Sequence, residues 1–260
     1  MSRLVPKREV VVCVGGVRLW VDPSDSGVGS EIVIAGDHER HHKRLIGDHI
    51  QQGMHVVDIG ANVGDYTLWF SRLVGSEGHV YAFEPSPRAF RFLTRNIAEN
   101  RVSNVTALNQ ALCEVDGCQQ FFEASKATGQ SSLIRSAVPT GSECELLEVR
   151  TIRLDTFVRQ MHIQRCDFIK LDVEGAEYRV LLGALDTLRR YRPKCLLEFW
   201  PWGLTQSGTT SEALLALLRE HWNTITLIPM FDFDKPVLEA TDAQILTHCR
   251  TRGFCDLLLT

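Results

Sequence analysis

The order of apolar segments predicts an α/β domain built on a mainly parallel, doubly wound sheet. Three observations carry this expectation. From Met54 onward, short apolar runs of strand type alternate with segments of helical periodicity, the order that crossover connections between parallel strands produce. The first such run leads into Asp58-Ile59-Gly60-Ala61-Asn62-Val63-Gly64-Asp65, a glycine-bearing turn between a strand and a helix start, as in folds that cradle nucleotide-like ligands. Two later runs of the series also end in acids, at Glu84 and Asp172.

Taken in order, 10–14, 17–21 and 32–34 read as short strands separated by glycine and Asp-Pro-Ser turns, a β-rich N-terminal extension outside the parallel sheet. Asp37 is placed to cap a helix from His38 to about Gln52, which Gly53 ends. The parallel series then follows: a strand at 55–59, a helix through 68–74, a strand at 79–84, and Pro85-Ser86-Pro87 starting a helix over 88–100. A strand at 105–109 precedes an insertion over 113–154, which holds a polar loop at 125–132 and a strand at 146–152. Strands at 167–171 and 194–199 flank one helix from about 174 to 191; a helix near 210–220 and strands near 224–228 and 254–259 close the chain. The pattern divides into an appendage, 1–53, suited to cover an acceptor, and one ligand-binding domain, 54–260.

With 260 residues, 23% charged and 44% apolar, the chain has the composition of a globular domain with a substantial core. A net charge of −4 offers no excess of cations for a nucleic-acid backbone. No apolar stretch reaches the length of a membrane span, and residues 1–9 lack a signal-peptide core, so the sequence reads as cytoplasmic. None of the eight cysteines forms a C-x-x-C pair, which excludes zinc-ribbon and thioredoxin-type sites; Cys13, Cys166, Cys195 and Cys255, inside apolar runs, read as small core hydrophobes.

The acids define the chemistry. A turn made for pyrophosphate would avoid a carboxylate at its entrance, whereas a ligand with an ammonium or sulfonium group would welcome Asp58; S-adenosylmethionine carries both. Gly60 and Gly64 permit close approach and positive φ, and Asn62 is among the few residues that tolerate the left-handed region. Glu84 stands where a carboxylate accepts ribose hydroxyls. Asp172, Glu174 and Glu198 should share the crevice outside the strand ends, where a carboxylate can take a proton from an alcohol acceptor; Glu177 reads as structural. The same acids would suit a divalent cation with oxygen ligands. The glycine spacing departs from G-x-G-x-x-G and no G-K-[ST] follows, which disfavours dehydrogenase and P-loop readings.

The turn over 57–64, Phe83-Glu84-Pro85, Arg153-Leu154-Asp155-Thr156-Phe157 and the run from Ile169 to Glu177 together resemble the FkbM family of methyltransferases. The resemblance implies a Rossmann-like class I methyltransferase fold with a mainly parallel seven-stranded sheet and S-adenosylmethionine as donor. It also implies O-methylation of a hydroxyl on a sugar, polyketide or other natural product. By that pattern Asp58, Gly60, Asn62, Gly64 and Glu84 hold the cofactor with Thr67 and Pro85 beside them, Asn109 to Ala111 flank the adenine, and Asp172 stands between cofactor and acceptor. Glu174 and Glu198 join Asp172 as catalytic candidates. The partner expected is a small-molecule or glycan acceptor; N-methyl transfer to a small molecule or peptide, and a binding protein without catalysis, are the alternatives.

Other features have competing readings. His38, His41 and His42 have helical spacing that could bind a metal or bring a base to the acceptor, but their charged neighbours suggest a solvated face. Trp200 and Trp202 suit either sugar stacking or packing, and the loop with Ser131 and Ser132 is composed to close over a cofactor.

Overall fold

The computed structural model describes residues 9–138, 143–229 and 235–260; residues 1–8, most of the segment read above for a signal peptide, lie outside them. The elements are β1 (Val10–Val14), β2 (Val17–Val21), α1 (Val28–Ala35), α2 (Arg40–Ile46), β3 (His55–Ile59), α3 (Asp65–Val74), β4 (His79–Phe83) and α4 (Pro87–Glu99). They continue as β5 (Val105–Leu108), β6 (Ala111–Leu112), β7 (Gly117–Ala124), β8 (Cys144–Ile152), α5 (Leu154–Gln160), β9 (Phe168–Leu171), α6 (Glu177–Leu182) and α7 (Leu185–Tyr191). The last are β10 (Lys194–Phe199), α8 (Pro201–Gln206), α9 (Ser211–His221), β11 (Ile225–Ile228), α10 (Asp242–Arg252) and β12 (Cys255–Leu259).

Seven strands form the central sheet in the order β11-β12-β10-β9-β3-β4-β5, and the sheet is mainly parallel, as predicted. All neighbours pair in parallel except β12, which runs antiparallel to both β10 and β11. From β3 the chain builds outward through β4 and β5, then returns to the other side of β3 with β9 and β10. The reversal opens a crevice at the carboxyl ends of β3 and β9, the usual ligand position in such sheets. Apolar helices cover both faces, and Phe70, Phe83, Phe168 and Phe199 are fully buried. Ser86 caps α4 by accepting from Ala89 N–H at 3.0 Å, with Pro87 at the first helical position. No helix among the described residues is long and apolar enough to cross a membrane.

Several expectations are corrected. Residues 32–34 lie in α1 rather than a strand: Ile32 is buried against the β1–β2 hairpin, and Gly36, in the left-handed conformation, caps the helix end on Ile32 O. β-branched propensity loses to this packing. Helix α2 is shorter than predicted, because Glu39 is left-handed at its start and a 3₁₀ turn follows over Gly47–His49; Asp37 binds Lys43 Nζ at 2.9 Å instead of capping. The single helix expected over 174–191 is two. Left-handed Glu174 and Gly175 delay its start, and at Gly183 a side chain would collide with the Cys113 carbonyl. In the insertion, β7 pairs along its whole length with β8, and β6 completes a second, three-stranded sheet. Cys13 is exposed, whereas Cys166, Cys195 and Cys255 are buried as expected.

Candidate functional site

A cavity of about 700 Å³ opens at the β3/β9 crevice. Of the site residues proposed from sequence, Gly60, Asn62, Glu84, Pro85, Ala111, Asp172, Glu174 and Glu198 line it. Asp58, Gly64, Thr67 and Asn109 do not; Asp58 and Thr67 are buried behind it and Asn109 is exposed. Asp58 is fully buried under the turn and accepts from Thr67 Oγ1 at 2.5 Å, while its Oδ1 has no hydrogen-bond partner among the described residues. Burial raises its carboxyl above the usual range, against the pull of the Lys170 ammonium. Gly64 starts α3 in the left-handed conformation, against Leu93. Asn109 donates to the carbonyls of Glu84 and Pro85 at 2.8 and 3.0 Å, and its neighbours Gln110 to Leu112 face the cavity.

The turn after β3 has a physical basis. Gly60 has φ +82°, and a Cβ there would overlap the Asp172 carbonyl oxygen, so the tips of β3 and β9 can touch only through glycine. Asn62 takes the left-handed conformation at φ 48°. Glu84, 6% exposed, accepts from Asn62 N–H through Oε2 and from Ser86 N–H through Oε1, each at 2.8 Å. A carboxylate has about four acceptor positions, so each oxygen keeps one for a ligand diol. Burial pushes this carboxyl up to about 7, against the two amide bonds.

A shift of that sign makes two measurable statements. Below about pH 7 Glu84 holds a proton, so affinity for a ligand that needs its ionised form should rise through that pH and then level off. The folded state also binds this proton more tightly than the unfolded state, so Glu84 should cost stability as pH rises from about 4.5 to about 7. S-adenosylhomocysteine titrations at several pH values should show the rise in the parent and a flat profile in Glu84→Gln.

Beyond β9 the carboxylates converge. Asp172, Glu174 and Glu198 each bring an oxygen to within 4.8 Å of the others, an acid-only set that could hold a hard cation. Lys170, buried mid-strand beside Asp58 in register, already supplies a positive charge: its Nζ is 2.9 Å from Asp172 Oδ2. Burial raises Glu174 and Glu198 well above the carboxylate range, and the charges of their acidic neighbours add to it. Glu177 is structural: it lies off the cavity and accepts from Val173 and Gly175 N–H, both at 3.1 Å, which shapes the loop before α6.

The N-terminal segment forms the opposite wall, through Glu31 and residues from Asp37 to His42. The solvated face expected of these histidines is not what forms. His41 and His42 are buried, and His38 precedes α2 and meets Glu31 at 2.9 Å. Burial would lower the His38 pKa, but Glu31, Glu39 and Asp65 hold it at about 9, so the ring is a cation at neutral pH rather than a base. Trp200 and Trp202 stand off the cavity, their ring centres 5.1 Å apart, with Trp202 45% exposed. The 125–132 loop does border the cavity. Thr128 Oγ1 donates to Asn62 Oδ1 at 3.3 Å, and Ser132 Oγ to the Glu174 carbonyl at 2.8 Å, which ties the two acidic turns together.

Sequence reading gave no role to Lys170, Glu39 or Asp256, all of which line the cavity. The signal for two of them was present: a lone lysine and a lone aspartate inside otherwise apolar strands are costly unless paired.

The Methyltransferase FkbM domain matches residues 58–223, well over half of the chain. The chain belongs to the FkbM methyltransferase family. Methyltransferase sdnD of Sordaria araneosa is 28% identical over 56% of this chain and 66% of its own length. Hexuronic acid methyltransferase AglP of Haloferax volcanii is 26% identical over 56% of this chain and 56% of its own. For 2-O-methyltransferase NoeI of Sinorhizobium fredii the figures are 27%, 53% and 60%. The chain thus spans less than two thirds of the length of each of these relatives. The matched segment includes Asp58, Glu84, Asp172, Glu174 and Glu198, but not α2 or β12.

Proposed function

We propose that this FkbM-family chain transfers the methyl group of S-adenosylmethionine to a hydroxyl oxygen of a sugar, polyketide or related natural product. The observation that carries the reading is one crevice with a diol-accepting carboxylate at one end, Glu84, and converging proton acceptors at the other, Asp172, Glu174 and Glu198. The residues present fit the donor: Gly60 and Asn62 give a turn of low bulk, and Glu84 keeps acceptor positions for ribose. When bound, S-adenosylmethionine supplies an electrophilic methyl on sulfur.

This chain's residues then have two tasks. They align the acceptor, which is worth most in a displacement that demands collinear atoms. They also take the hydroxyl proton, for which the carboxylates at the end of the crevice are candidates. Lys170 holds Asp172 in place, and the wall from residues 27–42 faces the acceptor. An amine needs less help losing its proton, so this cluster favours oxygen over nitrogen. The names of two relatives, a hexuronic acid methyltransferase and a 2-O-methyltransferase, support a sugar-like acceptor.

The test is methyl transfer from labelled S-adenosylmethionine to panels of hydroxylated sugars, polyketides and amines, with mass spectrometry of the product. O-methyl products are expected; products methylated only on nitrogen would contradict the reading. In the same preparations S-adenosylhomocysteine should raise the melting temperature and NAD should not.

A further inference from the structure

A second group of ligating atoms lies in the same cavity, on the wall away from the donor turn. Glu39, His42 and Asp256 come from the turn before α2, from α2 and from β12, and one donor atom of each lies within 4.8 Å of the other two. His42 is 4% exposed, and neither ring nitrogen makes a hydrogen bond to a described residue. Its Nε2 stands 3.0 Å from Asp256 Oδ2, at ion-pair distance. That separation is about the edge of an octahedral coordination shell with bonds of about 2.1 Å. Tyr66 Oη donates to Glu39 Oε2 at 2.9 Å, the kind of outer contact that orients a ligating carboxylate.

Charge points the same way. Asp256 lies opposite Glu198 in the β10–β12 register, so acids crowd this part of the wall. Of the neighbouring cations, Lys170 pairs with Asp172 and Lys43 with Asp37 and Asp65, while His38 bridges Glu31 at 2.9 Å and Glu39 at 3.6 Å.

We infer that Glu39, His42 and Asp256 form a binding site for one divalent transition-metal ion. One imidazole with two carboxylates suits Mn²⁺ or Zn²⁺ better than Mg²⁺ or Ca²⁺, which prefer all-oxygen sets. Three protein ligands leave coordination positions open to an oxygen ligand in the cavity, and that this is the acceptor's side rests on the proposed function. The ion would also fasten α2 to β12.

The test is equilibrium dialysis of the full chain against Co²⁺ and Mn²⁺, with S-adenosylhomocysteine binding as the check on folding. One ion per chain is expected, with affinity lowered at least 10-fold in His42→Asn and in Asp256→Asn and unchanged in Asp172→Asn. Pulsed electron paramagnetic resonance of Mn²⁺ on the wild type should show coupling to one imidazole nitrogen, which needs no variant to fold. No bound ion, an ion without nitrogen coupling, or an ion lost in Asp172→Asn but retained in His42→Asn would overturn the assignment. Each of those results can occur with S-adenosylhomocysteine binding intact, so the metal site and the methyltransferase reading fail separately.

Discussion

Gly60→Ala should melt far below the parent and bind no S-adenosylhomocysteine. Its φ of +82° costs any L side chain strain, and the new methyl would meet the backbone carbonyl of Asp172, which cannot swing aside as a side chain could. Left-handed strain and forced overpacking together cost about 2–6 kcal/mol. In a chain of this length that lowers the melting temperature by roughly 5–20 °C. Gly208→Ala is the control, because Gly208 shares the positive φ, +80°, but has open space where the methyl would go. It should lose only the strain component. Equal losses in thermal unfolding of the two variants would contradict the close approach of the β3 and β9 tips.

Asp172→Asn should abolish most turnover while leaving the fold and cofactor binding nearly intact. The substitution keeps the shape and a carbonyl oxygen for Lys170 Nζ, so the buried ammonium retains an acceptor. What it removes is a negative charge and a proton acceptor at the cavity end of β9. Loss of a positioned base lowers rate by about 10²–10⁴-fold. Steady-state kinetics with the best acceptor from the panel, beside a calorimetric S-adenosylhomocysteine titration, separates the outcomes. Turnover at the parent rate would remove Asp172 from catalysis and leave Glu174 and Glu198 as the candidates.

Much of the fold was readable because the central strands are continuous apolar runs, which buried parallel strands require. The β12 reversal follows no local signal; it depends on which edge the last strand joins. Ile32-Val33-Ile34 misled because β-branched residues signal strands, yet one of them, Ile32, is enough to seat α1 on the hairpin. Helix α10 escaped notice because few of its residues are apolar, although Thr241 and Gln244 form a capping box at its start.

In the site, the residues near the turns were legible because their spacing along the chain carries their chemistry. Facing was not. Asp58 and Thr67 belong to the same segments as the lining residues but are buried behind them, a distinction set by pleat and turn geometry. Nor could spacing bring His42 to Asp256, 214 positions later; only the antiparallel insertion of β12 beside β10 does so. The buried histidines were misjudged because local charge suggests solvent, whereas α2 lies against α3, with Lys43 bound to Asp65 at 2.6 Å.

The most direct test of the account is calorimetric titration of S-adenosylmethionine into the wild type and Glu84→Ala. One micromolar site is expected in the wild type. Loss of two hydrogen bonds to a charged acceptor should weaken it by roughly 100-fold or more in the variant. No binding by the wild type, or equal affinity in the two proteins, would contradict the claim that this crevice holds the methyl donor.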